Sequence, residues 1–240
     1  MSQNPVALVT GGAKRVGREI CLHLATSGYD IALHYNRSKE AAKNTAAEIA
    51  ELGVECRLFQ ANLAQADEFM PLVPKVHPSF GWLDCLINSA STFPRKPFLE
   101  SDPDFFDMHF TVNFKAPFFL IQQFAKTAES GLVINMLDVD MYTDVSNYAV
   151  YLLAKKSMRE LTRMTARELA PHIRINGIAP GHIMSPSNKD KEFQNRMLEK
   201  TALKMSGKPS YITQAISYII ENEFVTGDVL VVDGGYRVNL

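Results

Sequence analysis

At 240 residues, with 46% hydrophobic and 21% charged side chains, the chain has an ordinary globular composition. It is long enough to bury a full core without disulfides or metals. Lys plus Arg number 25 against 26 Asp plus Glu, a net charge of -1, which argues against a nucleic-acid partner and against an acidic disordered tail. Cys21, Cys56 and Cys85 lie far apart and form no CxxC pair, so no disulfide framework or metal site is expected, and a reducing cytoplasm is the expected location. The N-terminus has no basic n-region, and no apolar run reaches about 18 residues, so neither a signal peptide nor a membrane span is expected.

The chain alternates short apolar runs with longer amphipathic stretches. Residues 6–10 (VALVT) form a compact strand pattern ending in Gly-Gly. Residues 15–27 place Val16, Ile20, Cys21 and Leu24 at helical spacing, with Gly28 as the C-terminal cap. Residues 30–35 (DIALHY) read as the next strand, and 38–52 as an Ala- and Glu-rich helix stopped by Gly53. Residues 54–60, 83–88 and 132–137 read as further strands. Asp102-Pro103 opens one intervening helix as cap and first-turn proline, and another runs from about 147 to 170. Strands at 173–178 and 229–233 bring the count to seven. Strands apolar throughout and flanked by helices predict an α/β fold: a doubly wound, seven-stranded parallel sheet with helices on both faces. No linker or repeat divides the chain, so one domain over 1–240 is expected. The polar stretch 182–210 reads as a substrate lid, with a plain surface insertion as the other reading.

Three local patterns carry chemistry. The first strand runs into Thr10-Gly11-Gly12-Ala13-Lys14-Arg15-Val16-Gly17. A glycine turn entering a helix N-terminus lets backbone N–H groups meet a diphosphate, although an ordinary β–α turn has the same look. The second strand ends in His34-Tyr35-Asn36-Arg37-Ser38 rather than in the acid that holds an unphosphorylated ribose. Arg37 and Ser38 can donate to a 2′-phosphate instead, which favours NADPH; Ser38 can also simply cap the next helix. Tyr151 and Lys155 share one face of a predicted helix, where a buried ammonium is expected to lower the phenol's pKa. Tyr35 and Lys39 match the same spacing, so position after the fifth strand is what raises the first pair.

With these landmarks in order, the chain resembles the short-chain dehydrogenase/reductase family over essentially its whole length. The resemblance rests on the glycine turn, Asn88-Ser89-Ala90, Asn113, Tyr151/Lys155, Pro180-Gly181 and Val232-Asp233-Gly234-Gly235. It implies a Rossmann-type NADP site that also draws on Lys14, Val16, Asn62, Leu63 and Ile183. It further implies a Tyr151 acid supported by Lys155, an Asn113 that holds a relay water, and a homotetramer.

Departures from the common pattern point to the pteridine reductase and dihydromonapterin reductase branch. Arg15 replaces the middle glycine of the turn, Ser91 the glycine after Asn-x-Ala, and Asp138 the usual Ser thirteen residues before Tyr151. Phe93 follows two residues after Ser91. The resemblance implies that Phe93 stacks on a pterin, that Arg15 and Ser91 meet its polar edge, and that Asp138 works with Tyr151. A dihydropterin presents a C=N bond whose nitrogen must gain a proton, so a carboxyl group beside the phenol suits it better than it suits a ketone. Each residue has a plainer reading as well: Phe93 as loop packing, Arg15 as surface charge, Asp138 as a cap. The other functions considered are reduction of a 3-oxoacyl or sugar ketone and a non-catalytic NADP-binding role.

Overall fold

The computed structural model describes residues 4–143, 148–183, 195 and 198–239. Seven strands form one parallel sheet: β1 (Val6–Val9), β2 (Asp30–Tyr35), β3 (Cys56–Gln60), β4 (Cys85–Asn88), β5 (Gly131–Met136), β6 (Ile173–Pro180) and β7 (Val229–Val232). Their spatial order is β3-β2-β1-β4-β5-β6-β7, so the winding direction reverses between β1 and β4 and opens a crevice at the strand carboxyl ends.

Side chains alternate along each strand, and both faces are buried. Leu8, Leu86 and Val133 pack with α4 (Leu72–Phe80), α6 (Ala116–Thr127) and α7 (Ala149–Leu169). Val9, Ile87 and Ile134 face the opposite layer, against α1 (Arg15–Thr26), α2 (Lys39–Glu51) and α8 (Pro209–Glu221). The short helix α3 (Ala66–Phe69) precedes α4, and α5 (Pro103–Phe110) continues through a π-helical segment, Thr111–Lys115, into α6.

The sequence pattern and the structure agree on all seven strands, and β2 has the expected bounds. The edge strand β3 starts at Cys56 rather than 54, where β2 first offers a partner in Ile31. Asp102 caps α5 by accepting from Phe105 N at 2.8 Å. Ser38 precedes α2 without a side-chain cap bond, so its hydroxyl is not spent on the helix. Of the expected lid 182–210, residues 184–194, 196 and 197 lie outside the described residues.

Candidate active site

The glycine turn is built by close approach. Gly11 has φ +71°, and a Cβ on it would stand 2.9 Å from Ala90 Cα. A Cβ on Gly17 would stand 2.2 Å from Gly11 O, so only glycine lets α1 sit this close to the turn. Arg15 takes the vacated glycine's place and keeps a glycine-like backbone, φ +53°. That conformation costs a side-chain-bearing residue about 1 kcal/mol.

The N–H groups that were expected to face a diphosphate are used differently. Gly11 N donates to His34 Nδ1 at 3.1 Å, and Gly12 N donates to His34 O at 3.0 Å. His34 is buried, with Nε2 on Ala61 O at 3.0 Å, so it braces the turn from behind. Burial holds its imidazole neutral, pulled down to about 4. The first turn of α1 keeps the N–H groups that precede its first bond, from Arg18 N to Lys14 O, as at any helix start that can receive an anion. Thr10, which the sequence reading passed over, ties the crevice walls together: its Oγ1 accepts from Ser89 N at 2.9 Å and Ala90 N at 3.0 Å.

A crevice of about 710 Å³ opens at this point. Gly11, Lys14, Arg15, Val16, His34, Asn36, Arg37, Ser38, Asn62, Leu63, Ser89, Ala90 and Ser91 line it, together with Met108 and Val112, which were not anticipated. Arg37 is exposed at its rim and has no ion pair among the described residues. Asn62 Oδ1 already accepts from Asn36 Nδ2 at 3.2 Å and Ala64 N at 3.1 Å.

Other expected cofactor residues sit elsewhere. Tyr35 points to the opposite face of β2 and packs in the core, because strand side chains alternate. Asn88 is buried with Nδ2 on Asn135 Oδ1 at 2.9 Å, inside a polar chain that continues to Thr162. Pro180 and Gly181 do not line the crevice; Gly181 N donates to Val232 O at 2.8 Å. Ile183 packs in the core and lines a second cavity of about 510 Å³ with His182, Met205 and Gly234.

Asp138, Tyr151 and Lys155 do converge. Tyr151 Oη donates to Asp138 Oδ2 at 2.8 Å, while Asp138 Oδ1 accepts from Asp140 N at 2.9 Å. Burial pushes the Asp138 carboxyl above the usual carboxylate range. The Tyr151 phenol is raised well above its ordinary value, by burial first and then by the Asp138 charge. Lys155 Nζ donates to Met136 O at 2.7 Å and lies 5.7 Å from the Tyr151 ring centre, while the Asp138 carboxyl group sits on the phenol itself. Burial lowers the Lys155 ammonium to about 8.

Asn113 is tied into the neighbouring loop. It lies in the π-helical segment, 2% exposed, and all its polar valences are taken. Oδ1 accepts from Ser91 Oγ at 2.8 Å and Thr92 N at 3.1 Å; Nδ2 donates to Thr92 O at 3.0 Å and His109 Nδ1 at 3.3 Å. Its side chain holds the 91–92 loop. His109, absent from the sequence reading, completes the brace with Nε2 on Pro94 O at 3.2 Å. Its signal was present, one helical turn before Asn113.

Between those anchors Phe93 reaches outward, 44% exposed. Its ring meets the Tyr151 ring edge-on, with centroids 4.5 Å apart, and stacks on Tyr148 at 5.0 Å and 8°. It thus stands at the edge of the Tyr151 ring, open to solvent on its outer side.

Comparison with known proteins agrees with this architecture. The family model described as enoyl-(acyl carrier protein) reductase matches residues 11–237. A 3-oxoacyl-[acyl-carrier-protein] reductase from Staphylococcus epidermidis is 32% identical over 97% of this chain and 98% of its own length. Among solved structures, FolM alternative dihydrofolate reductase 1 from Brucella canis, complexed with NADP, superposes with a TM-score of 0.91. It has 32% identity, over 98% of this chain and 95% of that one. A blue fluorescent protein from a metagenomic library, in complex with NADPH, gives a TM-score of 0.91 at 27% identity, over 98% of each chain. The chain belongs to the short-chain dehydrogenase/reductase family and is an oxidoreductase of that fold.

Proposed function

We propose that this protein reduces a dihydropterin with NADPH. The observation that carries the reading is the Tyr151–Asp138 bond of 2.8 Å, next to the Phe93 ring and a crevice of about 710 Å³ at the strand carboxyl ends. The residues present suit NADPH: Val16 and Gly17 N–H groups for the diphosphate, Arg37 and the uncapped Ser38 hydroxyl for the 2′-phosphate, with Lys14 adding charge. Bound NADPH supplies a hydride to the ring carbon of the C=N bond.

The chain supplies the proton and the positioning. Asp138, its pKa raised by burial, keeps a proton further toward neutrality than an exposed carboxyl does. Its contact with the phenol serves proton transfer in either direction, so Tyr151 can donate to the ring nitrogen and be recharged from Asp138. The balance is one hydride to carbon, one proton to nitrogen, and a carboxylate left on Asp138 to be reprotonated from solvent. Lys155, anchored on Met136 O, holds a positive charge near the phenol. Phe93 offers a flat face for the heterocycle, with Ser91 and Arg15 for its polar edge.

A ketone reading is favoured by the staphylococcal relative, whose name specifies a 3-oxoacyl substrate. The two are separated by following NADPH oxidation with dihydropterins and with activated ketones, for the native enzyme and Asp138→Ser. The pterin reading expects the variant to keep NADPH binding and lose about 10²–10⁴-fold in kcat on dihydropterin. Native enzyme that turns over only the ketone would overturn it. A cytoplasmic homotetramer belongs to the same reading. It is supported by three free cysteines and by exposed Phe106, Phe118, Leu153 and Met164 along α5, α6 and α7.

A further inference from the structure

We propose that Arg95 reads an anionic tail, so that the preferred substrate is a flat heterocycle whose side chain ends in a carboxylate. This rests on the dihydropterin reading and narrows it to one substrate class. Arg95 is exposed, with its guanidinium 4.6 Å from the Tyr148 ring centre and 5.7 Å from that of Phe93. Phe93 in turn touches Tyr151, so the cation stands one ring beyond the proton donor, on the outward side.

The neighbouring Lys96 is paired with Asp102, whereas Arg95 has no carboxylate partner among the described residues. Its two chain neighbours are tied down, Pro94 through its carbonyl to His109 Nε2 and Lys96 through its side chain to Asp102. Stacking on an aromatic face fixes the plane of a guanidinium and leaves its N–H fork at the edge, the geometry that receives a carboxylate through two hydrogen bonds. A heterocycle seated against Phe93 directs a substituent past this edge. An uncharged polyol tail gains little there, while a carboxylate gains a charge-assisted contact.

The test compares dihydrofolate, whose tail carries two carboxylates, with an unconjugated dihydropterin bearing a neutral polyol, both with NADPH. Native enzyme, Arg95→Gln and Arg95→Lys are assayed at low salt and at about 0.5 M salt. Arg95→Gln is expected to raise the dihydrofolate KM about tenfold at constant kcat, with the unconjugated substrate and the NADPH KM unchanged. Arg95→Lys is expected to recover most of that loss, because it keeps the charge. High salt is expected to erode the native preference and to leave Arg95→Gln unaffected. Equal losses on both substrates, with no recovery by Lys, would assign Arg95 to holding the ring stack and overturn the proposal. No loss on either substrate would also overturn it, in both cases with dihydropterin reduction intact. Native enzyme inactive on both dihydropterins would instead remove the underlying reading and the proposal with it.

Discussion

Two buried histidines, His34 and His109, hold the two halves of the site, and both depend on a neutral ring. His34 accepts from Gly11 N through Nδ1, so protonation there removes the brace of the glycine turn. Its folded pKa, about 4, lies below the value of about 6.5 expected for an unfolded histidine. The unfolded chain therefore binds the extra proton first. The stability is fully present above pH about 6.5 and is lost progressively as pH falls toward 4, by up to roughly 3 kcal/mol. Urea unfolding of native protein and His34→Gln between pH 7 and 4 measures this: the native slope should be the steeper of the two. His109 works on the substrate side, joining Asn113 to the loop that carries Phe93. His109→Leu should raise the dihydropterin KM while changing the NADPH KM little. His109→Gln, which keeps one donor and one acceptor, should recover part of that loss. Arg37 belongs to the cofactor side. Arg37→Ala should weaken NADPH by about 1.5–3 kcal/mol and NADH hardly at all, as read by titration of both nucleotides. Equal losses would place the 2′-phosphate elsewhere.

At the scale of elements, two irregularities set the site. The first is the entry to α1, where Gly17 lies under the turn it follows. Adding a methyl group there forces the helix off Gly11 O, since that oxygen is backbone and cannot rotate aside. Gly17→Ala should cost about 1–3 kcal/mol in stability, read by thermal unfolding, and should weaken NADPH further, because Val16 N moves with the helix. The second is the π-helical segment Thr111–Lys115 between α5 and α6. One such wide turn shifts the residues after it around the helix axis, a feature that recurs at functional sites. Here it accompanies the inward turn of Asn113 toward Ser91 and Thr92. The sequence contains no marker for it: Thr111 to Lys115 reads as uninterrupted helix.

Across the whole molecule, the C-terminal segment returns to the catalytic loop. Tyr236 is 5% exposed, its ring edge-on to His182 at 5.3 Å, and its phenol is pushed up to about 12 by burial and the nearby Asp140. Arg237 lies over Tyr142 at 4.8 Å. Tyr236→Ala should cost about 3 kcal/mol, the scale for emptying a buried aromatic site, and should lower kcat by loosening the segment that carries Asp138. Thermal unfolding and steady-state assay check it. Unchanged values for both would mean the tail merely rests on the loop.

The seven strands, the glycine turn and the thirteen-residue step from Asp138 to Tyr151 were legible in the sequence, because each is a local pattern of period, spacing or backbone freedom; the strand order, with its reversal between β1 and β4, was not. The apolar runs of β1, β4 and β5 left no register but a sheet buried on both faces. Tertiary structure alone decided what those residues do with their polar atoms. Tyr35 and Asn88 were sent into the interior by strand alternation and by a partner 47 positions away, Asn135. Gly11 and Gly12 spent their N–H groups on His34, a residue of the next strand. The phenol of Tyr151 is raised first by its burial and then by Asp138, which touches it directly, while Lys155, on the same helix face, turns its ammonium to Met136 O. Burial and through-space contact set each of these outcomes, and neither is a property of nearby sequence.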